Sequence, residues 1–108
     1  MIVAISISPS GADETGGVSE SVAEAVGVIR ASGLPHETNA MFTNIEGEWD
    51  EVMAVVKQAV FKVAETSPRV GLVLKADLRR GHDTGQLTAK VERVEEHLRA
   101  TGPTASAE

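Results

Sequence analysis

The strongest constraint on this chain is the order in which its hydrophobic period changes. Residues 2–8 (IVAISIS) are rich in β-branched residues and read as a strand ended by Pro9, because proline cannot continue an interior ladder. Val3, Ile5 and Ile7 are expected on one face, and Ile2, Ala4, Ser6 and Ser8 on the other. Residues 9–17 have a loop composition, after which Val18, Val22, Ala25, Val26 and Ile29 recur at helical spacing. This predicts a helix over about 19–32, with Ser19 as N-cap, Ser21-x-x-Glu24 as a competing capping box, and Gly33 as the stop.

Residues 35–40 suit a short edge strand, and 41–48 a third strand with Thr43 and Ile45 toward the helices and Phe42, Asn44 and Glu46 toward the open side. A second helix is expected from about Trp49 to Glu65, its buried stripe being Val52, Val56, Ala59 and Val63. A fourth strand follows over 69–78, with Val70, Leu72, Leu74 and Ala76 helix-facing. A third helix over 84–99 is expected to start at an Asp83-x-x-Gln86 box and to bury Leu87, Val91, Val94 and Leu98. Residues 1–99 then form one domain, and 100–108 a disordered tail.

The order β-α-β-β-α-β plus a terminal helix predicts an α+β fold, the ferredoxin-like βαββαβ antiparallel sheet, with strands 1 and 3 central. One sheet face is left carrying Ile2, Ala4, Phe42 and Val73, too apolar for water. A second copy packed sheet to sheet would bury it, and so would the C-terminal helix folded across it.

Composition narrows the functions. Aromatics are 3% of the chain, so the core must be aliphatic, and there is no cysteine for a disulfide, a thiolate zinc site or a thiol nucleophile; a reducing cytoplasm is the expected setting. The net charge of -6, with no basic cluster longer than Arg79-Arg80, disfavours nucleic acid, and the apolar runs are too short for membrane insertion. A cationic or neutral ligand suits this balance better than an anion.

His36, His82 and His97 lack metal-ligand spacing, and no phosphate loop or nucleophile–base pair is visible. Glu46, a carboxylate on a central strand, needs a partner, either Lys75 on the same face or the amino and ring N–H groups of a heterocycle. Asn39, Thr43 and Asn44 offer donors and acceptors around it or serve turn and solvent, Ser6 and Ser8 leave room for a ligand or a close subunit on the neighbouring strand, and Phe42 either packs or lies against a flat ring or cation. Trp49 is expected to pack.

The N-terminal strand MIVAISISP, the Val18-Ser19-Glu20 helix start and above all the run MFTNIEGEWDEVM (41–53) resemble the small single-domain thiamine/hydroxymethylpyrimidine-binding proteins related to the YkoF type. The resemblance extends over about residues 1–99. It implies a ferredoxin-like domain, homotetramers built as dimers of dimers, and binding of thiamine or its hydroxymethylpyrimidine moiety without catalysis and without any other cofactor, in salvage or transport. It carries a ligand role to Thr43, Glu46 and Ser6 or Ser8. A small ferredoxin-like oligomeric enzyme of the isomerase or monooxygenase type, and an ACT-like regulatory oligomer, are the rival readings.

Overall fold

The computed structural model describes residues 1–10, 18–82 and 84–106. Its elements are β1 (Ile2–Ser10), α1 (Val18–Ala31), β2 (His36–Thr38), β3 (Thr43–Glu46), α2 (Trp49–Ala64), β4 (Arg69–Asp77) and α3 (Gln86–Ser106). The four strands form one antiparallel sheet in the order β2-β3-β1-β4, the expected α+β arrangement with β1 and β3 central.

β1 runs two residues past its expected end, through Pro9 to Ser10. Its pairing explains why a proline is tolerated there. β1 pairs with β3 only over Ile2–Ile5 but with β4 over Ile2–Ser10, so beyond Ile5 it is an edge strand on the β3 side. The Glu46 N–H donates to Pro35 O at 2.9 Å, toward β2. By strand alternation, Thr43 and Ile45 turn their main-chain groups to β1, opposite Ile5 and Val3, and Ile7 and Pro9 present theirs on that same edge. The N–H that Pro9 lacks would have pointed where, among the described residues, no strand stands.

α1 and α2 cover one face. Val3, Ile5 and Ile45 of the sheet meet Ala25 and Ile29 of α1 and Val52, Val55, Val56, Ala59 and Val63 of α2, all buried. The α2 stripe is the expected one, with Val55 added. Neither phenylalanine is in this core, and Trp49 is 51% exposed at the first position of α2, which corrects its expected packing role. An all-aliphatic core of this kind is stabilised by many side chains worth roughly 1.5–3 kcal/mol each rather than by a few large ones.

The helix starts differ from the sequence reading. α1 begins at Val18, so Ser19 and the buried Ser21 lie inside it and the Ser21–Glu24 box does not form the cap. Its stop is as expected: Gly33 has φ +79°, a conformation that costs glycine little. α2 is capped from within, the Glu48 N–H donating to Glu51 Oε1 at 3.3 Å.

α3 departs most. It runs to Ser106, past the break at residue 99 that the composition suggests. Leu87 is half-buried, but Val91, Val94 and Leu98 are each more than half exposed, against expectation. The helix packs on β3, and its apolar stripe from Val91 to Leu98 stays exposed among the described residues. The expected Asp83 cap lies outside the described residues. On β4, Val70 and Leu74 pack against the core while Leu72 and Ala76 remain exposed, as befits an edge strand under only part of α2.

Candidate functional site

Pairing of β3 with β1 begins at Thr43, and the residues before it stand away from β1. In the turn that joins β2 to β3, Asn39 acts as a clamp: its side-chain Oδ1 accepts the N–H groups of Met41 (2.8 Å) and Phe42 (2.9 Å), and its main-chain N–H donates to Phe42 O (2.9 Å). Residues that would otherwise have continued β3 alongside β1 are thereby drawn away.

A cavity of about 290 Å³ occupies the resulting notch. Its walls are Ile5 to Pro9 of β1, the turn from Thr38 to Thr43, and Val22, Ala25, Val26 and Ile29 of α1. Consecutive strand residues alternate between faces, so a cavity that touches five in a row must run along the strand edge. It therefore lies beside β1 in the place β3 vacates, roofed by α1. Thr43 is buried there, and its hydroxyl shares a 3.1 Å hydrogen bond with the hydroxyl of Thr38, its partner across the hairpin. Ser6, Ser8 and Asn39 add further polar groups to walls that are mostly hydrocarbon, with Phe42 half-buried at one side.

Five of the residues singled out from the sequence thus come together: Ser6, Ser8, Asn39, Phe42 and Thr43. Two do not. Asn44 turns to the opposite sheet face, where its Nδ2 donates to Glu37 Oε1 at 3.1 Å. Glu46 is 1% exposed and lies at the other end of β3. It does not pair with Lys75, which lies in the next cross-strand row with Ala4 and Asn44, while Ile2 stands between Glu46 and Asp77 in its own row. Its carboxylate instead accepts the Gln86 N–H at 2.7 Å and the Leu87 N–H at 3.4 Å, the first turn of α3. The need for a partner was real, and the helix supplies it.

The reason is local. Gly85, whose carbonyl accepts the Ala89 N–H at 3.1 Å, stands at the N-cap with φ +78° and no side chain to offer. The orphan N–H groups of the first turn are therefore satisfied from a distant strand, by a group whose charge also suits the helix dipole. A second tie holds α3: Lys90 pairs with Asp77 on β4, and its hydrogen bond and charge hold the Asp77 carboxyl below the usual carboxylate range.

Sequence reasoning missed Thr38, the α1 wall and the edge of β1. Thr38 was detectable in principle, because two β-branched hydroxyl residues flank the Asn-Ala-Met-Phe turn and a hairpin pairs them. The histidines His36 and His82 bond to main-chain carbonyls of Leu34 and Arg80, at 2.9 and 3.1 Å. Among the described residues no cluster suited to a metal ion occurs, and no helix is long and apolar enough to cross a membrane.

The chain matches the model of the family described as "Thiamine-binding protein" over residues 3–95. A UPF0045 protein of Mycobacterium bovis is 52% identical over 99 residues, covering 91% of this chain and 94% of that one. The crystal structure of a hypothetical protein from Methanocaldococcus jannaschii is similar with a TM-score of 0.69 at 33% identity, covering 94% of each chain. That of a Thermotoga maritima protein, provisionally assigned to thiamine biosynthesis or salvage, has a TM-score of 0.72 at 26% identity, covering 84% of this chain and 96% of that one. With these matches extending over nearly its whole length, the chain belongs to the thiamine-binding protein family, UPF0045.

Proposed function

We propose that this protein binds thiamine, or its hydroxymethylpyrimidine moiety, in the notch between β1, α1 and the β2–β3 turn, and releases it unchanged as part of salvage or transport in the cytoplasm. The observation that carries the reading is the coincidence of this cavity with membership of a thiamine-binding family. At about 290 Å³ the space sits at the small end for ligand pockets and suits one flat ring with a short substituent. A thiamine molecule would seat its aminopyrimidine inside and leave its cationic thiazolium toward the mouth, where a chain of net charge -6 favours it.

The Thr38–Thr43 hydroxyl pair can both donate and accept, Asn39 keeps its Nδ2 as a donor while Oδ1 holds the turn, and Phe42 offers a ring edge or face. Ser6 and Ser8 leave the strand beside the ring narrow. Among the described residues, hydroxyls, an amide and hydrocarbon form a surface that grips without the titratable pair an isomerase or monooxygenase would bring to this place. The second component of the reading is homo-oligomerisation, with a tetramer built as a dimer of dimers. Val73 on the sheet face and Val91, Val94 and Leu98 on α3 are the exposed apolar groups that a second copy would cover.

Calorimetry with thiamine and with hydroxymethylpyrimidine tests the reading. Wild type is expected to bind at least one of them, and Thr43→Val to lose about 1–2 kcal/mol, roughly five- to thirtyfold in affinity. Mass spectrometry of the recovered ligand is expected to show it intact. Wild type that takes up neither compound refutes the proposal.

A further inference from the structure

Where β1 outruns β3, its open edge presents main-chain groups to the cavity. The alternation set by the Ile5↔Thr43 pair turns the N–H and the C=O of Ile7 toward that side. Had β3 continued in register, Met41 would stand opposite Ile7, but the Met41 N–H is taken by Asn39 Oδ1 at 2.8 Å. Among the described residues no strand pairs with this stretch of edge, and Ile7 lines the cavity.

Resting on the binding proposal above, we infer that the Ile7 main chain is the element that recognises the ligand: its N–H donates to a ring nitrogen, and its C=O accepts from the adjacent exocyclic amino group. A donor and an acceptor side by side on an extended residue match the amino-heterocycle edge as they would match a neighbouring strand. The ring then lies in the plane of the sheet and replaces the missing strand residues, with α1 over one of its faces. This accounts for a polar specificity in a cavity whose side chains are mostly hydrocarbon. An added peptide strand fits the edge less well. Pro9 removes the next donor two residues on, so only Ile7 can both give and accept on this side.

The test uses the full chain labelled with nitrogen-15. Saturating hydroxymethylpyrimidine is expected to slow amide exchange at Ile7 by about tenfold or more. The analogue with carbonyl in place of the amino group is expected to bind about tenfold more weakly and to leave Ile7 less protected. Ile7→Pro removes the donor on an edge that already accommodates Pro9, and is expected to cost about tenfold in affinity, whereas Ile7→Val keeps the N–H and most of the binding. If Ile7→Pro does not fold, exchange in the wild type decides alone. Ligand that binds, shifting the methyl signals of Val22 and Val26, without slowing Ile7 exchange overturns this inference and leaves the binding proposal standing. Failure of both thiamine and hydroxymethylpyrimidine to bind overturns the two together.

Discussion

Replacing Glu46 separates a helix cap from a ligand carboxylate. In Glu46→Gln the shape is nearly kept, but the charge is lost and an amide nitrogen competes for the space facing the N–H groups of Gln86 and Leu87. The wild-type carboxylate is 1% exposed and receives those groups at 2.7 and 3.4 Å. Loss of a capping group costs about 1 kcal/mol, and loss of a favourable charge at a partly buried helix N-terminus up to about 2 kcal/mol. The two overlap, so the expected destabilisation is about 1–2 kcal/mol. For a domain of this size that corresponds to a fall in Tm of roughly 5–15 °C. Circular dichroism melts at fixed protein concentration measure it, and amide exchange should localise the loss to the start of α3, with Gln86 and Leu87 exchanging faster. Affinity for thiamine or hydroxymethylpyrimidine, measured well below Tm, is expected to stay within about twofold, because the carboxylate lies outside the cavity. A mutant with unchanged Tm and strongly weakened binding would refute this reasoning and return Glu46 to the site.

Further expectations follow from the same geometry. The lowered Asp77 carboxyl means that its pairing with Lys90 adds stability above the ordinary carboxylate range and loses it as pH falls through the depressed folded value. Acid melts below about pH 4 should therefore show α3 loosening that Asp77→Asn lacks, and equal pH slopes in the two proteins would count against the pair. Val94→Asp should lower the mass seen by light scattering while far-UV dichroism is kept; an unchanged mass means that the α3 stripe is not an interface. Asn39→Ala frees the Met41 and Phe42 N–H groups, lets the turn relax toward β1, and should weaken ligand binding about tenfold or more by narrowing the notch. Full affinity in that variant would show that the clamp does not hold the cavity open.

The fold was readable because each long segment carries one clear period. The switch from alternation in IVAISIS to helical spacing after Val18, and the stripe from Val52 to Val63, leave little choice of element, and the element order then leaves little choice of sheet. The errors fall where tertiary contacts decide. Pro9 ends a strand only if both edges are paired, and one edge of β1 is open. The α3 stripe looks like a core stripe, yet a sequence does not say whether the surface it seeks belongs to the same chain. Asn39, Phe42, Thr43, Ser6 and Ser8 line one cavity because the β2–β3 turn stands beside the edge of β1, a juxtaposition that polar and aromatic residues on neighbouring strands only hinted at. For Glu46 the helix partner was not legible, because a strand carboxylate needing a partner looks the same whether that partner is a ligand or a helix forty residues away. Ile7 was beyond reach, since its side chain is ordinary and only its main chain is unusual.

The absence of aromatic rings from the interior has an optical consequence. With no tyrosine and a single indole already half in water, unfolding changes the surroundings of almost no chromophore. Intrinsic emission will therefore understate cooperativity, and a flat fluorescence trace should not be read as a molten chain. With that single indole removed by Trp49→Phe, Phe42→Trp, a ring set in the wall of the notch, would serve as a reporter of occupancy.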